Sequence, residues 1–191
     1  MGRIDNLVAN YKRHVSLPLR QNLPLAQRVW FAVYAPEDER RLVNRVAEFE
    51  IATKEAGLEW QSTDLTGMFA DWMDTFEPDE REAALADPDV VKAYADPGFT
   101  DFICDRLTAR VAEVAHETAS RTVFALTGLM ELYDFIPVSE VIAALAERPG
   151  QPIPGVLLVF FPGERDGNTY RFLGARHGWN YLAVPILGDP A

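Results

Sequence analysis

The sequence predicts an α/β fold: a three-layer domain with about five mostly parallel strands flanked by helices, Rossmann-like or P-loop-like but without a functional nucleotide site. Three observations predict it. The run RVWFAVYA (28–35) is continuously apolar and rich in aromatic and β-branched residues, as a strand covered on both faces must be. Start and stop signals of a helix follow it directly, and the strand-then-helix unit recurs along the chain. GVLLVFF (155–161) is a second run of the same fully buried kind.

Each element follows from local chemistry. Ile4, Leu7, Val8, Tyr11 and Val15 recur at helical spacing, and two prolines in SLPLRQNLPL forbid continuation. Residues 1–27 are therefore an N-terminal helix and a proline-containing linker. After the strand at 28–35, PEDERRLVNRVAEFEIATKEAG carries Pro36 and acids in its first turn and Gly57 at its end, which bound a helix. LEWQSTDL (58–65) is a second, weaker strand. The helix after it places Met68, Phe69, Trp72, Met73 and Phe76 on one stripe, a core stripe rather than a cofactor box. Between Pro78 and His116 the chain reads as two or three helices opened by EPDERE, DPDVVKAY and DPGFTDF, part of an acidic helical insertion over 71–118. TVFALTG (122–128) is the third strand, VSEVIAALAE a short helix, GVLLVFF the fourth strand and NYLAVPI (180–186) the fifth. No internal repeat appears, and 1–191 reads as a single α/β domain.

Composition narrows the functional classes. Apolar residues at 48% and charged residues at 25% match a soluble globular protein, and no window approaches a membrane helix. The opening MGRIDNLVANYKRH lacks the apolar core of a signal peptide, so a cytoplasmic location is expected. Cys104 is the single cysteine; with histidines only at 14, 116 and 177 it makes no zinc-ligand spacing and reads as a small buried hydrophobe. A net charge of −11 opposes direct nucleic-acid binding. That charge is uneven: residues 1–28 hold five basic residues against Asp5, whereas 71–101 hold ten acidic residues against Arg81 and Lys92.

The stretch VFFPGERDGNTYRF resembles a phosphate loop and fails as one. In Gly163-Glu-Arg-Asp-Gly167-Asn168-Thr169 the loop is one residue short, Asn168 stands where Lys belongs, and Glu164 and Asp166 repel phosphate. Ligands of open α/β sheets bind beyond the strand carboxyl ends, and those ends are poor in reactive groups. Asp64, with Thr66 two residues on, is the best single acid; it could hold Mg²⁺, but capping is its ordinary role. There is no G-x-S-x-G, G-x-G-x-x-G or H-E-x-x-H, His116 reads as a surface or helix-end residue, and His177 sits in a turn. No catalytic, cofactor-binding or metal residue is assigned, and no cofactor is expected.

Pro162 and Gly163 are expected to turn the chain at the end of the fourth strand, with Asn168 in a left-handed or capping conformation and Tyr170, Phe172 and Trp179 supplying apolar area. Two roles stay open for this segment. It is either a structural brace in which Glu164 pairs with Arg171 or Arg176, or a partner-binding surface using Glu164, Asn168, Tyr170, Arg171 and Trp179.

The blocks LLVFFPGERDGNTYRFLGARHGWNYLAVPI, RVWFAVYAPEDERRL and VFALTGLMELYDFIPVSEVI resemble the BrxB family of bacterial BREX (bacteriophage exclusion) defence systems, over about residues 28 to 187. The resemblance implies a small non-catalytic assembly or adaptor component of an antiphage complex, encoded beside a DNA methyltransferase, a large ATPase and PglZ. It points to PglZ as first partner and the ATPase as second, and supplies no catalytic residue. The alternative is a nucleotide- or metal-dependent enzyme with an atypical site at the strand carboxyl ends.

Overall fold

Alternation along the buried strands divides the core into two halves, one on each face of a parallel sheet. A computed structural model describes residues 2–19, 23–133, 135–150, 153–167, 169–173 and 179–188, the side chains of Pro88, Asp96, Trp179 and Asn180 excepted. In β1 (Val29–Tyr34), Trp30, Ala32 and Tyr34 enter one core half while Val29, Phe31 and Val33 enter the other. β3 (Thr122–Thr127) and β4 (Val156–Asp166) divide in the same way, Phe160 to one side and Phe161 to the other. Helices therefore cover both faces, giving the expected three-layer α/β domain.

Among the described residues the sheet has seven strands. Five run parallel in the order β2 (Glu59–Asp64), β3, β4, β1, β7 (Val184–Leu187), and β5 (Thr169–Phe172) and β6 (Trp179–Asn180) extend β4 as an antiparallel flap. Counting parallel strands alone, this order matches neither the 3-2-1-4-5-6 dinucleotide-binding arrangement nor the flavodoxin-like 2-1-3-4-5. Handedness decides which helices lie where. From β1 the chain travels to the far edge through α2 (Glu39–Val43) and α3 (Val46–Glu55), whose Leu42 and Phe49 join Trp30 and Phe160. It returns from β2 to β3 through α4 (Met68–Met73), α5 (Pro78–Ala86), α6 (Pro88–Ala112) and α7 (His116–Ala119), then reaches β4 through α8 (Val138–Glu147). The return runs the opposite way across the sheet, so right-handed crossovers require its helices on the opposite face, where Trp72, Phe99 and Val141 pack with Phe31 and Phe161.

The N-terminal helix α1 (Arg3–Val15) buries Ile4, Leu7, Tyr11 and Val15 against α3, β1 and β7. Thr53 donates to the Phe49 carbonyl at 2.8 Å, so the Tyr11 hydroxyl donates to Thr53 at 2.6 Å, satisfying both buried groups. At the other end of β1, buried Arg28 donates to the carbonyls of Leu23, Ile153 and Gly155. Cys104 is buried as expected, with its thiol toward the Val141 carbonyl and pushed up to about 11 by burial. The Met68–Phe76 stripe is core: Trp72 stacks on Phe99 at 5.2 Å and Phe69 on Phe135 at 4.2 Å.

Four local expectations need correction. The helix after β1 is broken, opening as a 3₁₀ turn at Pro36–Asp38 and pausing between α2 and α3. DPGFTDF does not open a helix; Pro97 lies inside the 25-residue α6, where Ala93, whose carbonyl loses its partner, is exposed and water can satisfy it. Pro162 and Gly163 do not turn the chain: β4 runs on to Asp166, and the turn comes at Gly167, with φ of 59°. Finally, 180–186 is not one strand, since residues 181–183 separate β6 from β7.

Candidate functional site at the strand carboxyl ends

The extension of β4 past the sheet creates the site. Up to Pro162, β4 pairs with β1 in parallel; from Gly163 it pairs with β5 antiparallel, in the register Glu164 to Arg171 and Arg165 to Tyr170. Gly163 is required there, because a Cβ would stand 2.1 Å from the Arg171 carbonyl oxygen. The extended hairpin rises beyond the carboxyl ends of β1 and β7 and walls a cleft of about 640 Å³. Tyr34 to Glu37 line one side, Gly163 to Arg165 another, and Arg3 and Gly188 close it. The chain leaves β1 toward one face of the sheet, while the hairpin following β4 sends Tyr170 and Phe172 into the other. Adjacent strands that diverge in this way open the crevice where ligands of open α/β sheets bind.

Tyr170 does not lie at the surface. It is 1% exposed, its ring meets Phe31 edge-on at 4.9 Å and Phe161 at 5.8 Å, and its hydroxyl donates to the Ala183 carbonyl at 3.2 Å. Burial pushes its phenol up, and the neighbouring Arg165 guanidinium pulls it partly back. The brace reading describes this residue, and Tyr170 is withdrawn as a partner contact because its side chain is enclosed by the core. Phe172 packs on Phe161 and Tyr133 in the same cluster. Glu164 and Arg171 stand outside, paired across the hairpin at 3.6 Å with side chains 64% and 44% exposed. So solvated a pair adds little stability and remains accessible. Trp179 pairs with Tyr170 through its backbone in β6, its side chain lying outside the described residues, as do Asn168, Arg176 and His177.

Charges within the cleft are mostly matched. Arg3 reaches Glu37 and Asp38, each at 3.0 Å; the Glu37 backbone N–H, and after it Arg3, hold the Glu37 carboxyl below its usual range. The Tyr34 hydroxyl donates to Glu39, which with burial raises the phenol far above its ordinary range. Arg165 differs: its Nε is buried without a hydrogen-bond acceptor, while its guanidinium carbon lies 5.9 Å from the Tyr170 ring centre. The sequence hides Arg165 because a turn expected at Pro162–Gly163 would end the alternation. Carried through to Asp166, the period of two that puts Phe161 in the core also puts Arg165 inward and Glu164 outward.

Asp64 is exposed and does not cap α4 as expected, since the N-cap there is Gly67; it accepts instead from the Thr66 backbone N–H at 3.1 Å and hydroxyl at 2.9 Å, an Asx turn that accounts for it. Among the described residues no group of three or more His, Cys, Asp or Glu is placed to hold a metal, and no helix is long and apolar enough to cross a membrane. Fold and site together define an open-sheet, parallel α/β domain whose strand-end crevice is walled by an antiparallel hairpin. Compared with family models, curated proteins and solved structures, the chain matches none of them.

Proposed function

We propose that this protein is a non-catalytic assembly or adaptor component of a BREX antiphage complex, with PglZ as its first partner and the large ATPase as its second. Beyond the sequence resemblance, one surface carries the reading. Between α4, α5 and α6 lies an apolar slot of about 480 Å³ lined by Phe76, Ala84, Val90 and Tyr94, beside an exposed Leu85. Glu80 lines it, and the exposed Glu77, Asp79, Glu82 and Asp89 stand nearby in the chain; none of the five has an ion pair among the described residues, Arg81 being taken by Asp74 at 2.5 Å. An apolar slot inside an unneutralised acidic rim suits a partner segment that inserts an aliphatic or aromatic anchor and flanks it with Lys and Arg.

Co-purification with PglZ tests this. The combined changes Glu77→Lys, Glu80→Lys and Glu82→Lys, and separately Tyr94→Ser, should weaken capture while circular dichroism stays unchanged, and wild-type capture should fall steeply with salt. Glu164→Lys and Arg171→Ala probe the hairpin in parallel. Normal capture of PglZ by every folded variant would overturn the assignment of both surfaces.

A second reading, an enzyme with an atypical nucleotide or metal site, is favoured by the position of the 640 Å³ cleft at the strand carboxyl ends. Calorimetry separates the two. ATP or GTP with Mg²⁺ should give no saturable heat under the adaptor reading, and a reproducible micromolar dissociation constant would replace it with the enzyme reading.

A further inference from the structure

We propose that the cleft at the carboxyl ends of β1 and β4 binds a small organic or inorganic oxyanion, whose carboxylate or phosphoryl group is held by the Arg165 guanidinium. Three independent observations converge on it. The first is position: the cleft lies where the connections after two adjacent parallel strands diverge to opposite faces of the sheet. The second is size, since about 640 Å³ falls within the roughly 300–1,000 Å³ of small-molecule sites. The third is an unneutralised cation. Arg165 lines the cleft and makes no ion pair among the described residues; its Nε is enclosed, which leaves the terminal guanidinium nitrogens to meet a ligand.

The chemistry of that partner follows from the neighbours. Arg3 is engaged by Glu37 and Asp38, and Glu164 by Arg171, so the carboxylates around the cleft already have cationic partners, and among the described residues none pairs with Arg165. The two terminal guanidinium nitrogens lie side by side and present N–H groups in one plane, a fork that fits the two oxygens of a carboxylate or phosphoryl group. Tyr170, locked to the Ala183 carbonyl and packed on Phe31, backs the arginine with a rigid aromatic wall. The site is independent of the adaptor reading, because it belongs to the isolated chain.

Thermal unfolding of the isolated full-length protein tests the proposal with three salts at matched ionic strength: sodium phosphate, sodium citrate and sodium chloride. Phosphate or citrate should raise Tm saturably, as binding to the folded state alone requires, and chloride should not. A response to phosphate only assigns the phosphoryl group, and one to citrate only assigns the carboxylate. The rise should vanish in Arg165→Gln and persist in Arg171→Gln. A second variant separates binding from scaffolding. Arg165→Met removes the unsatisfied donor and keeps the aliphatic stem, so without added anion it should unfold at the wild-type temperature or above it. No saturable rise with either anion, a rise unchanged in Arg165→Gln, or a Tm loss of several degrees in Arg165→Met would each overturn the proposal.

Discussion

Tyr170 is held at both ends, its ring between Phe31 and Phe161 and its hydroxyl on the Ala183 carbonyl. The two halves are separable. Tyr170→Phe keeps the ring and leaves the carbonyl without this donor, and should cost about 0.5–1.5 kcal/mol. Tyr170→Ala opens a cavity in the larger core half and should cost about 3–5 kcal/mol, in the range of large aromatic truncations. Urea unfolding of both variants measures the difference; equal, small losses would mean that the hairpin is not a brace. Aromatic character at this position is plain in the sequence, whereas enclosure is not. Enclosure depends on Phe31 and Ala183, which are remote in sequence.

Helix α6 runs 25 residues through Pro97, an interior proline that removes one backbone hydrogen bond. The helix persists because one side is anchored: Val91, Ala95, Phe99, Ile103 and Leu107 are buried at helical spacing, while Ala93, Tyr94 and Pro97 face water. Gly98 lets that anchored side approach Trp72, whose ring carbon would sit 3.3 Å from an added Cβ. Pro97→Ala restores the N–H for the Ala93 carbonyl on the exposed side, and should stabilise the protein by about 1–3 kcal/mol. A thermal melt checks it, and a lower Tm would show that Pro97 contributes more to the folded helix than the hydrogen bond it removes. Local signals favour a helix start at DPGFTDF, and the burial of residues on both sides of Pro97 in one cluster overrides them.

Across the whole molecule, acid should destabilise the fold in two stages. Burial against Trp30, whose ring centre is 4.5 Å away, holds the His14 pKa below its ordinary value. A folded-state pKa below the unfolded one means that the unfolded chain takes the proton first as pH falls. This contribution is therefore full above about 6.5, the unfolded value, and is lost as pH drops through the folded one. The second stage belongs to the clasp joining α1 to α3, in which Arg45 pairs with Glu48 at 2.6 Å and with Asp5. The Gly2 backbone N–H and Arg45 hold Asp5 low, and Arg45 holds Glu48 low, so their contribution is present above about pH 4 and lost below it. Melts between pH 7.5 and 3.5 should show both declines, with His14→Gln flattening the first and Arg45→Met the second. Persistence of the first decline in His14→Gln would assign it to other groups.

The sequence by itself determined the class of fold, the buried strands and the lopsided charge, because continuous apolar runs, helix boundaries and counts of charge are local properties. It also determined the reading of Cys104, whose burial follows from hydrophobicity alone. Strand order, the break between β6 and β7, the burial of Tyr170 and the inward placement of Arg165 were decided by the tertiary structure. Which way a side chain points along β4 depends on where that strand stops, and it continues past Gly163 because β5 takes over as its hydrogen-bonding partner where the parallel pairing with β1 ends. Such pairing joins segments that fold back in space, and a residue's own neighbours carry no energy that specifies it.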